Sequence, residues 1–237
     1  VSETPTTVVL LHGFAATPRH WDRVVAALPA GRFAPTALDL ADADPPTPAG
    51  VRALVEAIVP ERFVLVGYSM GGRLALDFAL AAPARIERLV LVSTSAGIED
   101  ATERAARRAS DEALAASIER EPIEAFVARW QAVALFARDP DWVKEAVAVD
   151  ERRCSPAVLA ASLRAFGPGV MGPMWGRLHE LEMPAAILAG AEDANYVRAG
   201  RRLADALPRS SLEVVPGVGH RLALEAPEAV VRAITGE

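Results

Sequence analysis

Cysteine is almost missing from this chain: Cys154 stands alone among 237 residues. One thiol closes no disulfide within the chain, so the fold does not lean on an oxidising compartment. No histidine lies near it in sequence, and a passive thiol is the expected role. Lysine is as rare. Lys144 is the one lysine among 25 basic residues, a bias that, with abundant alanine, reads as genome composition. Acidic residues number 31, the net charge is −6, and no cluster of positive charge marks a nucleic-acid surface. The four histidines are scattered, with no H-E-x-x-H pair and no cysteine cluster, so no metal is expected. No phosphate loop and no dinucleotide fingerprint occur, and no cofactor is implied. No apolar run is long enough to span a bilayer. Residues 1–5 lack the basic and apolar regions of a signal peptide, which makes the cytoplasm the expected compartment. The expected partner is a small-molecule substrate, with neither nucleic acid nor membrane.

Apolar residues, by contrast, make up 51% of the chain. That suffices for one domain with a large core and room for an inserted subdomain. Residues 8–11, 33–38, 63–66, 86–92, 185–189 and 212–215 read as strands. Several are unbroken apolar runs, as expected of strands buried on both faces of a parallel sheet. Helical periods lie between them. Residues 18–28 put Trp21, Val24, Val25 and Leu28 on one face, and residues 51–59 put Leu54, Val55 and Ile58 inward. Further helices are expected at 197–207 and from Pro227 to about Ile234. Pro45, Pro46 and Pro48 mark residues 42–49 as a loop. From Ala96 to about Leu178 the period is helical throughout. The expectation is an α/β fold with a mostly parallel central sheet and helices on both faces. Residues 1–95 and 179–237 would form its core, and residues 96–178 a helical cap inserted at a strand's C-terminal end.

The most telling stretch is Gly67-Tyr68-Ser69-Met70-Gly71-Gly72, set between a strand-like run and a helix-like one. Strand, sharp turn and helix with serine at the apex is the G-x-S-x-G arrangement of an exposed nucleophile. Glycines flank the serine because the strained turn leaves no room for side chains. The hydroxyl then needs a base and a site for an oxyanion. His220 follows a strand and the loop Pro216-Gly217-Val218-Gly219, beyond the C-terminal end where open α/β sheets gather functional groups. His12, in the turn after the first strand, is expected to be structural. His20 is expected to have a polar or surface role, and His179 to lie on a surface turn. Asp193 follows another strand and precedes His220 by about one helix and one strand, which makes it the expected acid. Glu192 is its adjacent competitor, and Asp39 also ends a strand. The N–H groups of Met70 and Phe14 are expected to hold the oxyanion.

Ser69, Asp193 and His220, in that order, together with the His12-Gly13-Phe14 turn, resemble the α/β-hydrolase superfamily over nearly the whole chain. The cap narrows the resemblance. Gly97-Ile98-Glu99 with Arg104, Arg107 and Asp111 is similar to one branch. So are Phe126-Val127-Ala128-Arg129-Trp130 with Leu135-Phe136, and the stretch from Ser155-Pro156 through Ser162-Leu163-Arg164 to Gly167-Pro168-Gly169 and Trp175. That branch includes 2-succinyl-6-hydroxy-2,4-cyclohexadiene-1-carboxylate (SHCHC) synthase. Its serine–histidine pair abstracts a proton and pyruvate is expelled, without acylation of the serine. The resemblance implies that Tyr68 and Arg73, beside the nucleophile, and Arg107 and Trp130, in an anion-binding pocket, contact substrate. Three positions depart from the pattern. Glu151 replaces an arginine, with Arg152 and Arg153 as neighbours; Asn195 replaces a lysine; Gln131 replaces an aromatic residue.

A glutamate in the pocket would repel a polyanionic substrate, the more so at low dielectric. Unless Arg152 or Arg153 stands in, a less charged substrate is favoured. Phe126, Trp130, Leu135, Phe136, Trp142, Phe166 and Trp175 are expected to pack the cap or line an apolar pocket. The expected function is therefore a serine hydrolase acting on small carboxylic esters. The alternatives are an SHCHC-synthase-like lyase, a C–C bond hydrolase and, in a different class, a ligand receptor on a hydrolase fold.

Overall fold

The computed structural model describes residues 4–237. The signal-peptide reading rests mainly on Val1, Ser2 and Glu3, which lie outside the described residues. Six strands form one sheet: β1 (Thr6–Leu11), β2 (Phe33–Leu38), β3 (Phe63–Tyr68), β4 (Ile86–Val92), β5 (Ala185–Gly190) and β6 (Ser210–Val215). Their order is β2-β1-β3-β4-β5-β6, and every pairing is parallel. The chain moves outward from β1 to β2, then returns past β1 to β3. The order reverses between β1 and β3, and such a switch point leaves a crevice beyond the strands' C-terminal ends. One wall of that crevice is the His12-Gly13-Phe14 turn, and the other is Ser69.

Successive side chains of a strand face opposite sides of the sheet. In β1, Val9 and Leu11 enter one apolar layer while Val8 and Leu10 enter the other. In β4, Leu89 and Leu91 separate from Val90 and Val92 in the same way. The first layer is closed by α2 (Pro48–Glu56), α3 (Met70–Ala81) and α8 (Ala194–Ala206). The second is closed by α1 (Asp22–Ala27), the short α9 (Leu222–Glu225) and α10 (Pro227–Thr235). Among the described residues no helix is long and apolar enough to cross a membrane.

Between β4 and β5 the chain makes α4 (Ala101–Ile118), α5 (Ile123–Gln131), α6 (Asp141–Glu151) and α7 (Pro156–Phe166). Asp100 opens α4 by accepting the Glu103 N–H at 2.8 Å. Pro156 opens α7, where a missing N–H costs nothing. Ala15, Ala115, Ile118, Phe126, Val127, Leu159 and Leu163 make a separate apolar cluster that meets the core at Phe14. These helices therefore sit over the end of β1.

Some local expectations are corrected. α2 begins at Pro48, inside the expected loop, because the Thr47 hydroxyl accepts the Gly50 N–H at 3.1 Å and proline suits the first turn. It ends at Glu56, so Ile58 is exposed and Val51 joins Val55 inside. The helix expected from residue 18 opens as a 3-10 turn, Pro18–Trp21, before α1. Trp142 is 46% exposed instead of packed within the cap, with the Arg23 guanidinium 5.0 Å from its ring centroid. Met171, Met174 and Leu178, late in the expected cap, pack in the same layer as Val9 and Leu11.

Candidate active site

β3 ends at Tyr68 and α3 begins at Met70, so Ser69 alone turns the chain. It does so at φ 52° and ψ −110°, a conformation costly for any residue with a side chain. Gly67 and Gly71 make this possible. A Cβ on Gly67 would meet the Gly71 carbonyl oxygen at 2.4 Å, and one on Gly71 would meet that of Leu11 at 2.2 Å. Two bonds tie the turn down. The Ser69 N–H donates to the Val92 carbonyl at 2.9 Å, and the Thr94 hydroxyl donates to the Ser69 carbonyl at 2.7 Å.

Two distant loops converge on this serine. His220 Nε2 lies 3.2 Å from Ser69 Oγ, and His220 Nδ1 lies 2.7 Å from Asp193 Oδ2. The buried carboxylate selects the tautomer: Nδ1–H donates to Asp193, leaving Nε2 to accept from the serine. Asp193 Oδ1 accepts the Tyr196 N–H at 3.3 Å, so the residue also caps α8. Glu192 is exposed and does not compete. Asp39 caps a 3-10 turn, accepting the Ala41 N–H at 3.0 Å. His12 Nε2 accepts the Leu40 N–H at 3.1 Å, and its Nδ1 donates to the Gly13 carbonyl at 2.8 Å, bracing the turn that carries Phe14. His179 is exposed. His20 corrects its expectation: it is buried, stacked on Tyr68 at 4.4 Å, and burial pushes its pKa down to about 3.

Ser69 and His220 open into a cavity of about 230 Å³. Phe14, Tyr68, Met70, Arg73, Arg107 and Trp130 all line it. The Met70 N–H opens a helix, where the first amides have no partner within the helix. Arg73 is 5% exposed; it donates to the Phe166 carbonyl at 3.1 Å, while its Nε has no partner among the described residues. Burial lowers its pKa from the ordinary arginine value. Arg107 is half-exposed and donates to Asp111 at 2.8 Å. Trp130 stands edge-on to Phe14 at 5.1 Å and to Phe136 at 5.5 Å. Tyr196 was not singled out by the sequence, yet its ring lies 4.5 Å from that of His220. Its one sequence signal is its place three residues after Asp193.

The three departures from the family pattern lie outside this cavity. Glu151 is 1% exposed and turns away, accepting from Arg221 at 3.1 Å and from Gln131 at 2.6 Å. Burial, opposed by Arg221, pushes its pKa up to about 7. Gln131 accepts from Arg221 in turn, at 3.0 Å. Asn195 accepts from Arg198 at 2.6 Å on the surface. Arg152 and Arg153 are exposed and do not line the cavity, so neither stands in for the missing arginine. Arg221, which does meet Glu151, was not singled out. Its only sequence signal was adjacency to His220.

A model of the alpha/beta hydrolase family matches residues 8–233. An SHCHC synthase of Klebsiella pneumoniae is 30% identical, over 96% of this chain and 91% of its own. A Bacillus subtilis protein provisionally given the same name is 33% identical, over 93% of this chain and 85% of its own. The solved structure of MenH from S. aureus superposes with a TM-score of 0.91 at 28% identity, covering 99% of this chain and 93% of that one. An esterase of Thermogutta terrifontis, at 23% identity and a TM-score of 0.76, shares the fold alone. The sequence relatives overturn the carboxylic ester hydrolase expectation, since these two, 30% and 33% identical over nearly the whole chain, are named as synthases. The physical error was to place the Glu151 charge in the pocket, when it is turned onto Arg221. With the family model spanning almost its full length and MenH superposing along it, this chain belongs to the α/β-hydrolase family, within its MenH-like branch.

Proposed function

We propose that this protein catalyses the SHCHC synthase reaction, removing a ring proton from an anionic cyclohexene carboxylate and expelling pyruvate. The observation that carries the proposal is the buried Arg73, with an unpartnered Nε, in the same cavity as the Ser69–His220 pair. An unpaired buried guanidinium is costly, and a substrate carboxylate would relieve that cost. Arg107 supplies a second, weaker positive site, and Tyr68 and Trp130 confine the ring. The names of the relatives matched along the chain support the same reading.

The product named for those relatives is a ring diene conjugated to a succinyl ketone. Removing a proton beside that ketone and expelling an enol ether oxygen generates the second double bond. In the proposed step Ser69 takes the ring proton while its own passes to His220 Nε2. Asp193 steadies the imidazolium. The ketone oxygen gathers negative charge against the Phe14 and Met70 N–H groups. The enolate then collapses and the C–O bond to the enolpyruvyl group breaks. His220 returns its proton by way of Ser69, and the leaving group becomes pyruvate. No acyl-serine forms. In this reading residues 96–178 act as a cap over a core of residues 1–95 and 179–237. A cytoplasmic location fits a fold with one thiol.

The test is pyruvate release from the enolpyruvyl precursor, followed with lactate dehydrogenase and NADH. Wild type is expected to turn over, and Ser69→Ala to lose about 10³-fold or more. Undiminished release by Ser69→Ala, or none by wild type, defeats the proposal.

A further inference from the structure

Arg221 follows His220 directly, but it points away from the cavity. Its side chain is 3% exposed. The guanidinium stands 2.9 Å from Asp139 Oδ2, donates to Gln131 at 3.0 Å and to Glu151 at 3.1 Å, and lies 3.9 Å over the Phe136 ring. All four partners come from one inserted segment. Gln131 ends α5, Phe136 and Asp139 lie in the connection to α6, and Glu151 ends α6. On the other side of the histidine, the Gly219 N–H donates to Glu225 at 3.1 Å. His220 is therefore held from both neighbours in the chain. Phe136, which carries the guanidinium on its face, also lines the cavity, its ring 6.0 Å from that of His220.

We propose that Arg221 is a positioning residue that clamps the 131–151 segment to the His220 loop, setting the imidazole against Ser69 and Phe136 against the cavity. This rests on Ser69 and His220 being the reacting pair, and not on which substrate they meet. Stability alone does not call for such a cluster. Two buried carboxylates, Asp139 and Glu151, face one guanidinium. Buried ion pairs are close to neutral against apolar packing of the same volume. The α4–α7 pair is closed by Ala115, Ile118, Leu159 and Leu163, with Arg164 bonded to Glu112 and Glu119 on the exposed face. What a guanidinium adds is direction, because its donors lie in one rigid plane and fix the groups they touch.

The test follows the rate at which a fluorophosphonate labels Ser69 in the full chain, which reports the Ser69–His220 contact without any natural substrate. Arg221→Gln is expected to label about 10-fold slower or worse, with native near-UV circular dichroism. Arg221→Lys, which keeps the charge but not the fork, is expected to recover part of the rate. Arg164→Gln is the control: it should lower Tm and leave labelling unchanged. An Arg221→Gln protein that behaves like that control, less stable but labelled at the wild-type rate, overturns the clamp. If Arg221→Gln does not fold, a wild-type labelling rate in Arg221→Lys overturns it equally. Absence of pyruvate release alongside slowed labelling would sink the substrate assignment and leave the clamp standing. A wild type that does not label would sink the clamp, while the substrate assignment stands or falls with pyruvate release.

Discussion

Glu151→Gln is expected to stabilise this protein at alkaline pH, although it removes one side of a buried ion pair. Glu151 is 1% exposed, and burial outweighs the pull of Arg221 and Gln131, raising its pKa from 4.5 to about 7. The unfolded chain releases this proton near 4.5, while the folded one holds it to about 7. Between those values the folded state binds more protons, so its stability falls as pH rises. At about 1.36 kcal/mol per pH unit the full loss is about 3 kcal/mol, complete near pH 8. Glutamine is a steric copy of the protonated side chain and has no such loss. It also leaves Arg221 opposite Asp139, 2.9 Å away, so no charge is stranded. The variant should match wild type below pH 4, gain about 1 kcal/mol at pH 5 and gain about 3 kcal/mol at pH 8. For a chain of this length that is about 6–12 °C in Tm. Urea unfolding followed by circular dichroism at each pH measures it. A variant less stable than wild type at pH 8 would refute the reasoning, because ionised Glu151 would then be a net stabiliser through Arg221.

Other outcomes follow from the same geometry. Arg73→Met should lower kcat/KM for pyruvate release about 30-fold, whereas Arg107→Met, half-exposed and already paired with Asp111, should cost only about threefold; the reverse order would show that the buried guanidinium is not the anion site. Asp193→Asn should keep the fold but lower kcat by about 10³–10⁴, since the amide no longer selects the His220 tautomer; a loss below tenfold would remove Asp193 from its role. Gly71→Ala should lose about 3 kcal/mol or more, read from the urea midpoint, because its Cβ would lie 2.2 Å from the Leu11 carbonyl oxygen. Burial pushes the Cys154 thiol up to about 12, so alkylation at pH 8 should run about 10³-fold slower than for a free thiol; modification at the free-thiol rate would contradict that burial.

The sheet is legible in the sequence because strands covered on both faces read as unbroken apolar runs. β3 and β5, buried at every residue, extend the expected runs 63–66 and 185–189 by only two residues and one. The elbow is legible for a different reason. A backbone that excludes a Cβ at Gly67 and Gly71 leaves its mark within a few consecutive residues. Ser69, Asp193 and His220 are far apart in the chain, yet each follows a strand of one parallel sheet, which is why their common place could be inferred. Burial of single side chains was less legible. Ile58 lies beyond a helix that ends two residues before it, and Trp142 faces outward beneath Arg23.

Period and backbone strain are local properties, so the sequence by itself determined the parallel sheet, the inserted helices and the serine turn. The direction of a charge is not local. Glu151 stands in the sequence as a carboxylate where the family has an arginine, and from that alone the pocket looks poor in positive charge. Tertiary packing turns it onto Arg221, seventy residues away, and leaves Arg73 and Arg107 as the arginines lining the cavity. A buried charge acts through the partner it meets, and only the folded chain decides that partner.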